Sequence, residues 1–284
     1  MATLHLVATP IGNLEDVTLR ALRVLREVEL VLAEDTRHTR VLLDRHGIAA
    51  VPVSLHAHNE AQRSQLALEV LGRGGDVALV SDAGTPLVSD PGERLVRAAL
   101  DAGFAVCAVP GPSAVLAALV ASGLATAAFT FVGFPPRKPG ERNALFASLR
   151  DRAETLILFE SPRRLAATLR ELAGALGPRR ACVARELTKV HEELARDTLD
   201  SLALRFADGA RGEVTLVVEG APARAAAASS EVVDTAIRAR AAAGGSTSDI
   251  ARDVARATGV PRSAVYARVL DSLSPARAVG PRET

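Results

Sequence analysis

Apolar positions in the first part of the chain fall into short runs, separated by segments of helical period. Residues 4–9 (LHLVAT) form one run and stop at Pro10, and residues 29–33, 76–80 and 105–109 form three more. Short apolar runs closed by Gly or Pro mark strands buried on both faces. Between them, Leu19, Leu22 and Leu25 recur at helical spacing across residues 16–27, with Asp16 as a candidate cap. A second helix runs through Asp44 and stops at Gly47, and others are predicted over 60–71, 92–102 and 113–121. This strand–helix alternation predicts a largely parallel sheet covered by helices.

Residues 131–140 (FVGFPPRKPG) are too rich in Pro and Gly for a regular element and read as a crossing between domains. The alternation then resumes, with strands at 155–159, 181–185 and 213–218 and helices at 163–173 and 198–206. Beyond it, a helix over 249–255, a Gly-containing turn at 258–261 and a helix over 262–270 give helix-turn-helix spacing, which equally suits a small helical cap. The plan is therefore an α/β domain over 1–130, a second over 131–220, a linker over 221–230, a helix-turn-helix-like segment over 231–275 and a tail over 276–284.

A chain of 284 residues, 48% of them hydrophobic, can bury the cores of two domains. No run approaches the roughly 18 apolar residues of a membrane span. No basic stretch precedes the first apolar run, which reads as a strand and not as a signal peptide. The net charge of +1 gives no global attraction to nucleic acid, so RNA contacts must come from local patches. Cys107 and Cys182 each sit among apolar residues and are expected to be buried thiols, without metal-ligand spacing.

Three loops follow predicted strands: residues 9–13 (TPIGN), 81–86 (SDAGTP) and 109–113 (VPGPS). Ligands of open parallel sheets bind outside those strand ends, and Gly lets the main chain approach them closely. Neither a G-x-G-x-x-G fingerprint after the first strand nor a Walker loop is present. A ligand without phosphates, such as S-adenosylmethionine, fits this better than a dinucleotide or a nucleoside triphosphate. The 81–85 loop superficially resembles the D-x-D-G-T nucleophile loop of haloacid dehalogenase-type phosphatases, but Ser81 and Ala83 stand where its aspartates should be.

Residues 6–14 (LVATPIGNL), 33–39 (AEDTRHT) and, above all, 78–92 (ALVSDAGTPLVSDPG) resemble the ribosomal RNA small-subunit methyltransferase I family. Residues 110–113 (PGPS), Glu160-Ser161 with Arg164-Leu165, residues 184–189 (ARELTK) and Gly212-Glu213 extend the resemblance in family order over residues 4–220. His191 departs from it, standing where an aromatic residue is expected. The resemblance implies a tetrapyrrole-methylase-like, class III methyltransferase fold: two α/β domains flank a cofactor cleft, with a helix-turn-helix appendage. It implies a cytoplasmic homodimer that moves the methyl group of S-adenosylmethionine to the ribose 2′-oxygen of a cytidine in 16S rRNA, at the decoding centre. A tetrapyrrole-type small-molecule methyltransferase and a non-catalytic ribosome-assembly protein are the competing readings.

Carried onto this sequence, the motifs place Pro10, Gly12, Asp82, Gly84, Thr85, Ser113, Ala114, Ala184, Glu213 and Val214 around the cofactor, the methionine carboxylate meeting the helix that opens at Ser113. Asp35, Glu186 and Lys189 are the candidate proton acceptors, with capping or ion pairing as their plainer roles. Arg37, His38, Arg40, Arg137, Lys138, Arg142, Arg163 and Arg164 are the candidate RNA contacts, with 134–142 as a substrate lid. No metal is called for.

Overall fold

The computed structural model describes residues 2–222 and 230–273. The expected tail over 276–284 and most of the 221–230 linker lie outside those residues. The chain divides into two compact units, 1–220 and 221–284.

The first unit holds two five-stranded sheets. β1 (Thr3–Val7), β2 (Leu30–Ala33), β3 (Pro52–Ser54), β4 (Val77–Val80) and β5 (Ala105–Val109) form the first, in the order β3-β2-β4-β1-β5. All its pairings are parallel. Every residue of β4 is buried, as a central strand covered on both faces requires. The connecting helices are α1 (Leu19–Glu27), α2 (Thr36–Arg45), α3 (Glu60–Gly72) and α4 (Glu93–Asp101). Asp16 is not the cap of α1. It lies in a 3-10 turn, Leu14–Asp16, and the Thr18 side chain accepts the Ala21 N–H instead.

The second sheet comprises β6 (Phe129–Gly133), β7 (Thr155–Glu160), β8 (Arg180–Arg185), β9 (Glu193–Thr198) and β10 (Val214–Val218), in the order β6-β7-β10-β8-β9. Only β6 and β7 pair in parallel, and the other three pairings are antiparallel. The alternation that predicts parallel strands therefore holds for the first sheet and fails for most of the second, where β8 and β9 join through a short loop. The expected irregular crossing at 131–140 is shorter than read. Phe131 to Gly133 finish β6, and Pro139 opens α6 (Pro139–Ser148), where its missing N–H costs nothing. The helices α7 (Leu165–Leu176) and α8 (Leu199–Arg205) cover one face of this sheet with Phe146 of α6.

Between the sheets runs α5 (Ala114–Ser122), apolar on nearly every side. Its Val115, Ala118 and Leu119 join Ile157, Cys182 and Val217 of the second sheet and Ile11 from the loop after β1 in one core. Burying a side chain of that size is worth about 1.5–3 kcal/mol, so this layer fixes one sheet against the other. Cys182 is buried as expected. Cys107 is exposed, because β5 is the edge strand of its sheet.

The second unit comprises α9 (Ser230–Ala242), α10 (Thr247–Thr258) and α11 (Arg262–Leu273) around Val233, Ile237, Ile250, Val254, Val265 and Val269. Ser246 caps α10, and Gly259 in the left-handed region turns the chain into α11, so the expected helix–turn–helix forms with longer helices.

Candidate functional site

The strands of the first sheet all end at one rim, and the rim loops are tied together. Thr9 and Gly84 exchange two backbone hydrogen bonds of 2.9 and 3.0 Å. Ser81 Oγ donates to the Gly84 carbonyl, and Thr9 Oγ1 to that of Ser81, each at 3.0 Å. Gly84 itself sits at φ +83°, which a residue with a side chain enters only under strain. The Asp35 N–H donates to Asp82 Oδ1 at 2.7 Å, pinning the β4 loop to the end of β2.

The rim also touches the second sheet. A Cβ on Gly12 would stand 2.5 Å from Lys189 Cγ and 2.9 Å from the Leu187 carbonyl, so no larger residue fits between the two loops. Beside this contact lies a cavity of about 380 Å³, walled by Asp82 to Thr85 and Ser113 to Val115 on one side and by Phe159, Ala184 and Val214 on the other. That is the size of a small-cofactor site. Ser113 caps α5 by accepting the Leu116 N–H, which leaves the start of that helix facing the cavity.

Two loops at this cavity hold residues other than Gly in the left-handed region: Leu87 (φ 73°) and Ser89 (φ 69°) on the first sheet, Glu186 (φ 51°) and Thr188 (φ 66°) on the second. Such conformations cost of order 1–2 kcal/mol each and persist where the surroundings hold them. The charges differ between the loops. Lys189 Nζ lies 2.8 Å from Glu186 Oε1 and 3.0 Å from Glu213 Oε2, and the Glu213 N–H also donates to Glu186. The bond from Lys189, then that from Glu213, holds the Glu186 carboxyl below its ordinary range. Asp90 behaves oppositely. Burial, then the nearby Glu34 and Asp82 carboxylates, pushes it up to about 7, against a hydrogen bond from Ser81. Glu34 is raised as well, by burial and then by Asp82 and Asp35.

The structure brings eight of the ten expected cofactor residues to the cavity wall: Asp82, Gly84, Thr85, Ser113, Ala114, Ala184, Glu213 and Val214. Pro10 and Gly12 are not in that wall; their neighbour Ile11 is. None of the three candidate proton acceptors lines it either. Asp35 caps α2 through the Arg37 N–H and takes the Arg37 guanidinium on both oxygens, which holds its carboxyl well below the usual range and makes it a poor base. Glu186 and Lys189 spend their charges on each other.

Among the expected RNA contacts, Arg137 and Arg163 are exposed, as are Arg37 and His38, although His38 Nδ1 stands 3.5 Å from Asp82. Lys138 is exposed and pairs with Glu141 at 3.0 Å. Arg142, Arg164 and Arg40 are committed within the fold. Arg142 grips Glu171 and the Pro136 and Arg137 carbonyls, Arg164 binds Glu160 and the Pro135 carbonyl, and Arg40 reaches the Ala50 carbonyl. Arg142 and Arg164 thereby hold the 134–138 loop and the helices beside it, while Arg40 ties α2 to the stretch before β3. Sequence reasoning missed Glu34 and Asp90, although both sit inside quoted motifs. It also missed Phe134, 57% exposed at the cavity, whose ring leans on Phe159 at 5.4 Å, with Phe131 behind at 5.0 Å from Phe159.

Comparison with known proteins adds the family context. A family described as Tetrapyrrole (Corrin/Porphyrin) Methylases matches residues 3–203, and one described as the RsmI C-terminal HTH domain matches 226–274. A protein of Mesorhizobium japonicum named Ribosomal RNA small subunit methyltransferase I is 48% identical, the match covering 94% of this chain and 91% of the relative. One of the same name from Synechocystis is 45% identical over 94% of this chain and 96% of its own length. Among solved structures, a uroporphyrin-III-C-methyltransferase from Thermus thermophilus superposes with a TM-score of 0.58 at 24% identity, over 77% of this chain and 94% of that one. The methyltransferase CobJ superposes with a TM-score of 0.61 at 21% identity, over 78% and 95%. At those identities the likeness is one of fold.

Proposed function

The chain belongs to the ribosomal RNA small subunit methyltransferase I family, within the tetrapyrrole methylases, and from that premise we propose that it methylates the ribose 2′-hydroxyl of a cytidine in 16S rRNA at the decoding centre. S-adenosylmethionine is the methyl donor of this family. The observation that carries the reading is the convergence of eight motif residues, from separate loops of both sheets, on one cavity.

The cavity suits that donor. Ile11, Ala184, Leu187 and Val214 offer an apolar slot for a flat adenine. The start of α5 at Ser113 and Ala114 offers backbone N–H groups to a carboxylate. Glu34, Asp82 and Asp90 make the remaining wall acidic, which favours a cation. When bound, the donor supplies an electrophilic methyl group on a positively charged sulfur. The chain's own part is to hold the ribose oxygen in line with that methyl group, because near-attack geometry supplies much of the rate.

Arg137, Lys138 and Phe134 form the proposed entry for RNA. The two cations meet phosphates, and the exposed ring offers a face on which an unstacked base can rest. Arg37, His38 and Arg163 extend this charge along the surface. β5 and β6 are edge strands of their sheets, and Phe129 is an exposed apolar residue of β6. Pairing there between two copies would cover those edges and give the expected homodimer. Among the described residues no helix is long and apolar enough to cross a membrane; work on ribosomes would place the chain in the cytoplasm.

Nucleoside mass spectrometry of 16S rRNA from a strain lacking this chain tests the reading. Loss of one 2′-O-methylcytidine, restored by the wild-type chain, is the expected result. An unchanged profile favours the non-catalytic assembly role, and a lesion confined to tetrapyrrole methylation favours the small-molecule reading.

A further inference from the structure

Five carboxylates line the cavity: Glu34, Asp82, Asp90, Glu160 and Glu213. Three have strong partners. Glu160 is fully buried and accepts from the Ser161 N–H at 2.7 Å, Thr168 Oγ1 at 2.5 Å and Arg164 at 3.2 Å. Glu213 holds Lys189, and Asp82 accepts the Asp35 N–H with His38 beyond it. Glu34 lies near His56, whose pull partly offsets the burial that raises its carboxyl. Asp90 faces two more acids, Glu34 at the end of β2 and Asp82 in the β4 loop, together with the Ser81 hydroxyl; no charged group of opposite sign acts on it among the described residues.

The backbone around Asp90 is set in place at a cost. Leu87 and Ser89 both lie in the left-handed region just before it. Strain of that kind collects where a side chain must be aimed. The Ser81 hydroxyl, which also reaches the Gly84 carbonyl, hydrogen-bonds the Asp90 carboxylate and offsets part of the upward push from burial.

We propose that Asp90 is a catalytic residue, the acceptor of the proton from the attacking ribose 2′-hydroxyl; this rests on the functional reading above. The ribose oxygen forms a new C–O bond to the methyl carbon as the C–S bond breaks, its electron pair staying on sulfur. The hydroxyl proton passes to the Asp90 carboxylate and from there to solvent. An acid held near neutrality is half in its basic form under working conditions and returns its proton readily. A cationic donor bound beside it also favours the ionised form, so donor binding should expel a proton.

Two measurements test this. In calorimetric titrations of S-adenosylmethionine at about pH 6.5, run in buffers of different ionisation enthalpy, wild type should release a fraction of a proton per donor bound and Asp90→Asn should release none. In single-turnover methyl transfer to small ribosomal subunits, the wild-type rate should rise with pH and level off above an apparent pKa below the donor-free value of about 7, because the bound cation lowers it. Asp90→Asn should lose roughly 100-fold or more and the pH dependence with it, with Asp90→Glu recovering part of the rate. An Asp90→Asn rate within about threefold of wild type, or a loss accounted for by weaker donor binding alone, overturns the assignment. If wild type itself places no methyl group on a ribose oxygen, the functional reading falls first and takes this one with it.

Discussion

The loops at 87–90 and 186–189 use the same backbone device for opposite ends. Each carries two side-chain-bearing residues in the left-handed region, and each borders the cavity. In the second loop Lys189 bridges Glu186 and Glu213, so each carboxylate has a cation beside it and the wall is fixed. In the first, Asp90 lies among like charges and is left able to take up a proton near neutrality. The difference shows that strain alone does not identify the chemistry. What distinguishes a working carboxylate from a structural one here is the cation that is missing.

Breaking the first loop should have the largest effect. Gly84→Trp puts a bulky side chain at φ +83°, with its Cβ already 3.4 Å from Ile11 Cγ2. It should abolish S-adenosylmethionine binding in calorimetry, and an unchanged affinity would remove the β4 loop from the site.

Next comes the stability of Asp90→Asn. A carboxyl raised to about 7 in the folded state is ionised in the unfolded chain from near 3.8 upward, so the native state binds the extra proton between those values. Stability from this group is therefore present at acid pH and declines as pH rises toward 7. Asparagine lacks that penalty. Its melting temperature should exceed that of wild type by roughly 3 °C at pH 8 and match it near pH 4; a destabilised variant at pH 8 would mean that Asp90 is paired after all.

The second loop should respond with the opposite sign. Glu186 is held below its ordinary range, so its contribution is present at neutral pH and lost as acid titrates it. Lys189→Met should cost about 1–2 kcal/mol at pH 7 in denaturant unfolding and less at low pH. Equal cost at both would show packing, not charge, to be what Lys189 contributes.

The most graded effect belongs to the RNA entry. Reversing Arg137 and Lys138 to Glu should weaken binding to small subunits by about tenfold and flatten its salt dependence. Phe134→Ala should weaken binding without changing the salt slope, by roughly 1–3 kcal/mol if a base rests on the ring. A double variant that binds like wild type would contradict an entry at 134–138.

Four of the five parallel strands were readable from the sequence as short, largely apolar runs, and the loops after β1, β4 and β5 carry Gly and Pro at the turns; β3, three residues opening on Pro52, was too short to be seen. The antiparallel half was less so. The edge strand β9 reads ELARDT, with little apolar content and a half-solvated face, and β6 ends in the Gly and Pro that elsewhere mark loops. The site followed the same division. Main-chain loops such as 82–85 were found, since Gly and Pro announce them. Asp90 was quoted within its motif and passed over, because its character comes from Glu34 and Asp82, which only the fold brings beside it. Asp35, chosen instead, is answered locally: Arg37, two residues on, takes its charge.

The central claim is the identity of the reaction. Purified chain, S-adenosylmethionine labelled in its methyl group and small ribosomal subunits should together yield labelled 2′-O-methylcytidine at a single 16S rRNA position after digestion to nucleosides. Label on a base atom, or subunits that stay unlabelled while the donor binds, would contradict it.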